Sequence, residues 1–179
     1  PLPLNALQIL YVNFFSDSFP AIAFAFEDSA DQKTRRIPKL HTHLFDKSMR
    51  FFIFLIGIPT SMLLFVVYYA LLRYGFDEEL VRTFIFASFS SYTLLITFSI
   101  RSFSKSILTY NPFSNYFLTA GVALGLVLTA AAIYARPLQF VLGTVSLPPL
   151  WLLGVLGFGM LNIAIIEAGK RLLRWKGYE

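Results

Sequence analysis

The 179-residue sequence has no cysteine and only two histidines, and charged residues make up just 14% of it. Without thiols there is no disulfide framework, no thiolate metal site and no nucleophilic cysteine. So little charge, beside 56% hydrophobic residues and a mean hydropathy of +0.65, excludes a water-soluble domain, which must keep a polar face on its elements. Stretches such as Phe51–Leu72 and Tyr116–Tyr134 are apolar on every side, so helices built from them have no face to give to water. The net charge of +5 does not point to a nucleic-acid partner, because the basic residues lie between apolar runs and form no module with aromatics.

What is present is a set of five stretches long enough to cross roughly 30 Å of hydrocarbon at about 1.5 Å per residue. They are Leu4–Phe26, Phe51–Leu72, Leu80–Ile100, Tyr116–Tyr134 and Leu150–Ala168. The reading is a single all-α domain over residues 1–179, a polytopic membrane helix bundle of about five transmembrane helices with the lipid bilayer as its immediate partner. Twelve of the 15 Lys and Arg residues fall in the first connection, the third connection and the C-terminal tail, whereas Arg73, Arg82 and Arg136 lie on the opposite side. The excess of Lys and Arg on cytoplasmic loops then places the C-terminus in the cytoplasm and the start of the first span outside. That orientation, in a chain opening Pro1-Leu2-Pro3 with no signal segment, is what a piece of a longer protein would give.

Most polar features inside the spans have ordinary explanations. Gly121 and Gly125, and Gly154, Gly157 and Gly159, suit close helix packing. Ser88, Ser90, Ser91, Tyr92, Thr93 and Thr97 make the third span less apolar, which predicts hydrogen bonds between helices. Glu167 precedes Lys170 and Arg171 by three and four residues, a spacing that predicts an interfacial ion pair. Trp151 and Trp175 fit the aromatic belts at the membrane surfaces. His41 and His43, in the long polar loop, read as solvated rather than metal-binding.

The first span is different. Asn13, Ser16, Asp17 and Pro20 fall on one face at 3.6 residues per turn. Asp17 is the one carboxylate well inside a span, where insertion scales charge about 2.5–3.5 kcal/mol for an Asp at the helix centre. Pro20 cannot donate a backbone hydrogen bond and clashes with the carbonyl of residue 16, which predicts loosening over Ser16–Pro20. An amide oxygen, a hydroxyl, a carboxylate and freed carbonyls make an all-oxygen set, suited to calcium, sodium or potassium rather than zinc or copper. Asn13, Ser16 and Asp17 are therefore the candidate metal ligands.

The opening residues Pro1-Leu2-Pro3-Leu4-Asn5-Ala6-Leu7-Gln8-Ile9-Leu10-Tyr11-Val12-Asn13-Phe14-Phe15-Ser16-Asp17-Ser18-Phe19-Pro20-Ala21 resemble the sixth membrane helix of type II P-type cation-transporting ATPases, the calcium-pump and sodium-pump kind. Leu44-Phe45-Asp46, Arg101-Ser102, Pro137-Leu138-Gln139 and Gly143-Thr144 extend the likeness to the tenth helix, over essentially the whole chain. The resemblance implies that Asn13 and Asp17 are cation ligands and that Ser16 stands where calcium pumps often have Thr. Departures are Tyr11 where Trp is usual and Ser18 where Gly is common, with Tyr92 or Thr93 near where calcium pumps can supply a further ligand. The sequence has no Asp-Lys-Thr-Gly-Thr phosphorylation motif and no Gly-rich nucleotide loop, so ATP and Mg2+ belong to other parts of such a pump.

The resemblance thus implies the C-terminal membrane segment of an ATP-driven cation pump, a translocase in the plasma membrane, with calcium first among the transported ions. Its partners would be the pump's soluble domains and first five membrane helices. Two other readings stay open at this point: part of a secondary cation transporter, or a non-transporting membrane scaffold.

Overall fold

The computed structural model describes residues 1–25, 54, 57–101 and 106–175. The long loop with His41 and His43, the Leu44-Phe45-Asp46 motif, Ser102 and most of the second expected span's first turn lie outside the described residues. Among those described, the chain is all helix and turn, an all-α membrane bundle as the hydropathy requires.

The first span is three pieces in line: α1 (Ala6–Tyr11), a π-helical segment (Val12–Asp17) and α2 (Ser18–Ala25). Its start is fixed by a capping box, in which the Asn5 side chain accepts from the Gln8 amide at 2.8 Å and the Gln8 side chain accepts from the Asn5 amide at 3.1 Å. The spare amide hydrogens of both side chains reach the Leu142 carbonyl, at 2.7 and 3.1 Å. Leu142 ends a short helix on the far side of the sequence, whose next residue, Gly143, is left-handed at φ 62°. A side chain there would be strained, so glycine lets the helix stop with its last carbonyls turned toward Asn5 and Gln8.

The remaining elements are α3 (Ile58–Arg73), α4 (Glu78–Ile100), α5 (Tyr116–Tyr134), the short α6 (Arg136–Leu142) and α7 (Pro149–Trp175). Asp77 caps α4 by accepting from the amides of Glu79 and Leu80, and Glu78 and Glu79 in the first turn suit the positive end of the helix dipole. Asn115 caps α5 in the same way, accepting from Leu118 at 2.9 Å. Three of the described helices, α4, α5 and α7, are long and apolar enough to cross a membrane.

Helix α4 is the centre of the bundle. Two thirds of its apolar stretch (67%) is buried, against 33% for α5 and 28% for α7, so the outer two leave most of their apolar surface to lipid. It packs against α3, α5, α7 and the π segment. Gly125 permits the closest of these approaches: a Cβ there would stand 2.6 Å from Leu94 Cδ2. Exposed Met62, Phe65, Val127, Leu153 and Met160 cover the rim with hydrocarbon, the inverse of a soluble surface.

Of the hydroxyls expected to bond between helices, Ser90 does so, and two outside that set, Thr83 and Ser99, also reach other elements. Thr83 accepts from the Val145 amide at 3.0 Å, and Ser99 donates to Glu167 at 2.5 Å. Thr93 and Thr97 instead bond back to carbonyls of their own helix, at 2.9 Å to Ser90 and 3.0 Å to Thr93. Glu167 does pair with Lys170, at 2.7 Å, and Lys170 is fully buried in the protein, its ammonium also donating to the Ser99 carbonyl at 2.6 Å. Arg171 is exposed. Trp151, expected simply to float at the membrane surface, is packed edge-on against Phe76 and Phe84, with 5.2 Å between ring centres in each case. Trp175 is exposed.

Candidate cation site

Proline at position 20 was expected to loosen Ser16–Pro20; the distortion lies a turn earlier, as the π segment Val12–Asp17, and α-helix resumes at Ser18. One extra residue in the turn before a proline relieves the crowding its ring imposes, which accounts for the displacement. One carbonyl loosened by this arrangement, that of Asn13, is met at 3.3 Å by the hydroxyl of Ser18. Serine at a position where glycine is common in the resembling helices therefore has a local use.

The wider winding redistributes the polar side chains. At about 4.4 residues per turn, Asn13 and Asp17 are roughly nine-tenths of a turn apart and share a face, whereas Ser16 falls roughly a third of a turn off it. Asn13 and Asp17 are both exposed. Ser16 is 1% exposed and its hydroxyl lies 2.6 Å from that of Ser90 on α4. The structure thus leaves Asn13 and Asp17 exposed and turns Ser16 inward, where a uniform 3.6-residue period had put all three on one stripe.

Asp17 has no hydrogen-bond or ion-pair partner among the described residues. The interior side of the helix offers it nothing basic: it is occupied by Val12, Ser16 and Pro20, all buried. The phenol of Tyr92 on α4 lies within reach of the Asp17 charge, its ring held edge-on between Phe89 and Phe158. Thr93 has its hydroxyl committed to its own helix. Among the described residues no three His, Asp or Glu side chains converge as a metal cluster. The open face therefore presents one carboxylate and one amide, both hard oxygen donors, and falls short of the six to eight oxygens a calcium ion takes. It is a partial shell, able to bind only with donors facing it from outside these elements.

A residue that sequence reasoning passed over is Thr129. Its hydroxyl is buried, 2.7 Å from that of Ser90, so Ser16, Ser90 and Thr129 form a continuous row across three elements. The signal was there to read: within Tyr116–Tyr134 it is the one hydroxyl-bearing side chain far from either end.

Comparison with known proteins gives one family, described as "Cation transporting ATPase, C-terminus", matching residues 1–172. A calcium-transporting ATPase of Bacillus subtilis (strain 168) is 31% identical over 182 residues, covering 98% of this chain and 20% of the relative. The mouse (Mus musculus) calcium-transporting ATPase type 2C member 2 is 31% identical over 159 residues, covering 88% of this chain and 17% of the relative. Calcium-transporting ATPase 1 of Bacillus cereus (strain ATCC 10987 / NRS 248) is 25% identical over 162 residues, with 81% and 18% covered. The chain therefore spans about a fifth of the length of the curated relatives it matches, and it belongs, over nearly all its residues, to the family of C-terminal membrane regions of type II P-type cation-transporting ATPases.

Proposed function

We propose that this chain forms one wall of the ion path in an ATP-driven calcium pump, with Asn13 and Asp17 as side-chain ligands of the transported cation. The observation that carries the reading is their pairing on the open face of a π turn, in a helix whose opposite face is sealed against α4 and α5. A lone carboxylate at such depth costs too much to be left without use or partner. Ser16 stands between the two ligands in sequence and fixes the turn from behind. Calcium is favoured over sodium or potassium by the names of the three relatives, all calcium-transporting ATPases.

In this reading the missing oxygens come from membrane helices of the pump outside this chain, and its soluble domains bind ATP and Mg2+ and carry the phosphorylated residue. The phosphorylation cycle shifts those helices against the π segment and changes how many oxygens surround the ion and which side reaches it. Helices α3 to α7 brace that segment. The setting is the plasma membrane with the end of α7 in the cytoplasm, in line with twelve of the 15 Lys and Arg residues.

The test is cation-stimulated ATP turnover in the intact protein, across calcium, manganese, sodium and potassium. Asp17→Asn and Asn13→Ala should abolish or strongly reduce the calcium-stimulated rate at normal expression; full stimulation in both variants would rule the site out.

A further inference from the structure

We propose that Ser90 and Thr129 are positioning residues for the cation site, holding the π turn in the winding that keeps Ser16 buried and Asn13 and Asp17 on the open face. The inference rests on the reading of those two side chains as ligands.

The row of hydroxyls has a fixed direction. Thr129 donates to the carbonyl of Gly125 at 2.9 Å, one turn back on its own helix. A hydroxyl has a single hydrogen, so Thr129 can only accept from Ser90 across 2.7 Å, and Ser90 in turn can only accept from Ser16 across 2.6 Å. The hydrogen of Ser16 is thereby drawn away from the open face into the bundle. All three side chains are at least 97% buried, so each link excludes water and none has a solvent alternative.

The packing around the row keeps its length short. Leu94 and Gly125 lie four residues beyond Ser90 and four before Thr129, on facing stripes of α4 and α5, and the missing side chain of Gly125 receives Leu94. A side chain there would force Leu94 out of its place. Gly121, one turn nearer the start of α5, meets the carbonyl of Phe19 in the same manner, with 3.3 Å available to a Cβ. Helices α2, α4 and α5 are thus locked together on the side of the π turn opposite Asn13 and Asp17.

Such a lock has a purpose because π winding is the less favoured state. It is rare and appears mostly as single turns inside α-helices, frequently at functional sites, where tertiary contacts hold it. Returning Val12–Asp17 to α-helix leaves residues 13 and 17 within about 40° of each other, as in the π turn, but turns residue 13 by roughly 55° toward the side of Ser16. The hydroxyl row therefore bears on the winding through Ser16: with Ser16 anchored on Ser90, residue 13 stands roughly 60° from it in an α turn and roughly 115° in the π turn, so it is the π winding that carries Asn13 out onto the open face.

The experiment compares Ser90→Ala, Thr129→Val and the pair in the intact protein, with Ser90→Thr and Thr129→Ser as conservative variants. The readouts are the calcium concentration for half-maximal ATP turnover, the maximal rate and the thermal inactivation temperature. Losing one buried link, worth about 1 kcal/mol, should raise the half-maximal calcium concentration about fivefold, with the maximal rate changed less than twofold. The pair should exceed either single variant, and the conservative variants should stay near wild type. Unchanged calcium dependence, or a lower maximal rate that merely tracks a lower inactivation temperature, overturns the proposal. Asp17→Asn measured alongside separates the two claims: if it keeps calcium stimulation, the ligand reading itself has failed; if it loses stimulation while Ser90→Ala and Thr129→Val bind calcium normally, only the positioning role has.

Discussion

Two carboxylates sit within the spans and their surroundings give them opposite parts. Asp17 faces outward with no described partner. Glu167 is saturated: it accepts from Ser99 at 2.5 Å, from the Ser106 hydroxyl at 2.6 Å, from the Ile107 amide at 3.3 Å and from Lys170 at 2.7 Å. It ties the end of α4, the following connector and α7 into one joint. Removing one partner of a buried ion pair typically costs about 3–5 kcal/mol, but here the two removals are unequal. Lys170→Met leaves Glu167 with three donors, whereas Glu167→Gln takes away the negative charge opposite a fully buried ammonium. Glu167→Gln should therefore lower the thermal inactivation temperature of the purified protein more than Lys170→Met does, and the double variant should recover part of the loss. The reverse order would show that the joint is not held by satisfying the ammonium. The pairing itself could be read from the three-residue spacing. The burial of Lys170 could not, because the carbonyl that makes it tolerable belongs to Ser99, 71 residues away.

Among the elements, the π segment is where local sequence and tertiary structure contribute unequally. Proline at position 20 announces a break, and residue type and spacing alone single out Asn13 and Asp17, which the structure leaves exposed. The placement of Ser16 was not, since a uniform 3.6-residue period is blind to an extra residue in the turn. What fixes the winding is a hydroxyl on α4 and another on α5, and neither leaves a mark near residue 16. Deleting Phe14, whose ring is exposed, removes that extra residue and should convert the segment to regular α-helix. The variant is expected to fold and insert but to lose calcium-stimulated turnover, because the winding that seats Ser16 on Ser90 and leaves Asn13 on the open face is then gone. Intact turnover in this deletion, measured with expression and inactivation temperature as controls, would mean the π winding has no part in function.

For the whole molecule, fold class followed from composition: a chain with apolar surface to spare on α5 and α7 and a polar interior line along α4 is built from the inside for hydrogen bonding and from the outside for lipid. The caps, glycine contacts and end joints make α4 to α7 a brace around the broken first helix, and its unbraced side is the one that carries Asn13 and Asp17. That asymmetry leaves the proposed ligands to be completed from outside a segment that covers about a fifth of its relatives. The most direct test is equilibrium binding of radioactive calcium to the intact protein without ATP, comparing wild type with Asp17→Asn. Saturable binding in wild type, lost or weakened at least about a hundredfold when one charged ligand is removed, is the expected result. Equal binding by the two proteins would contradict the assignment of Asp17 to the ion.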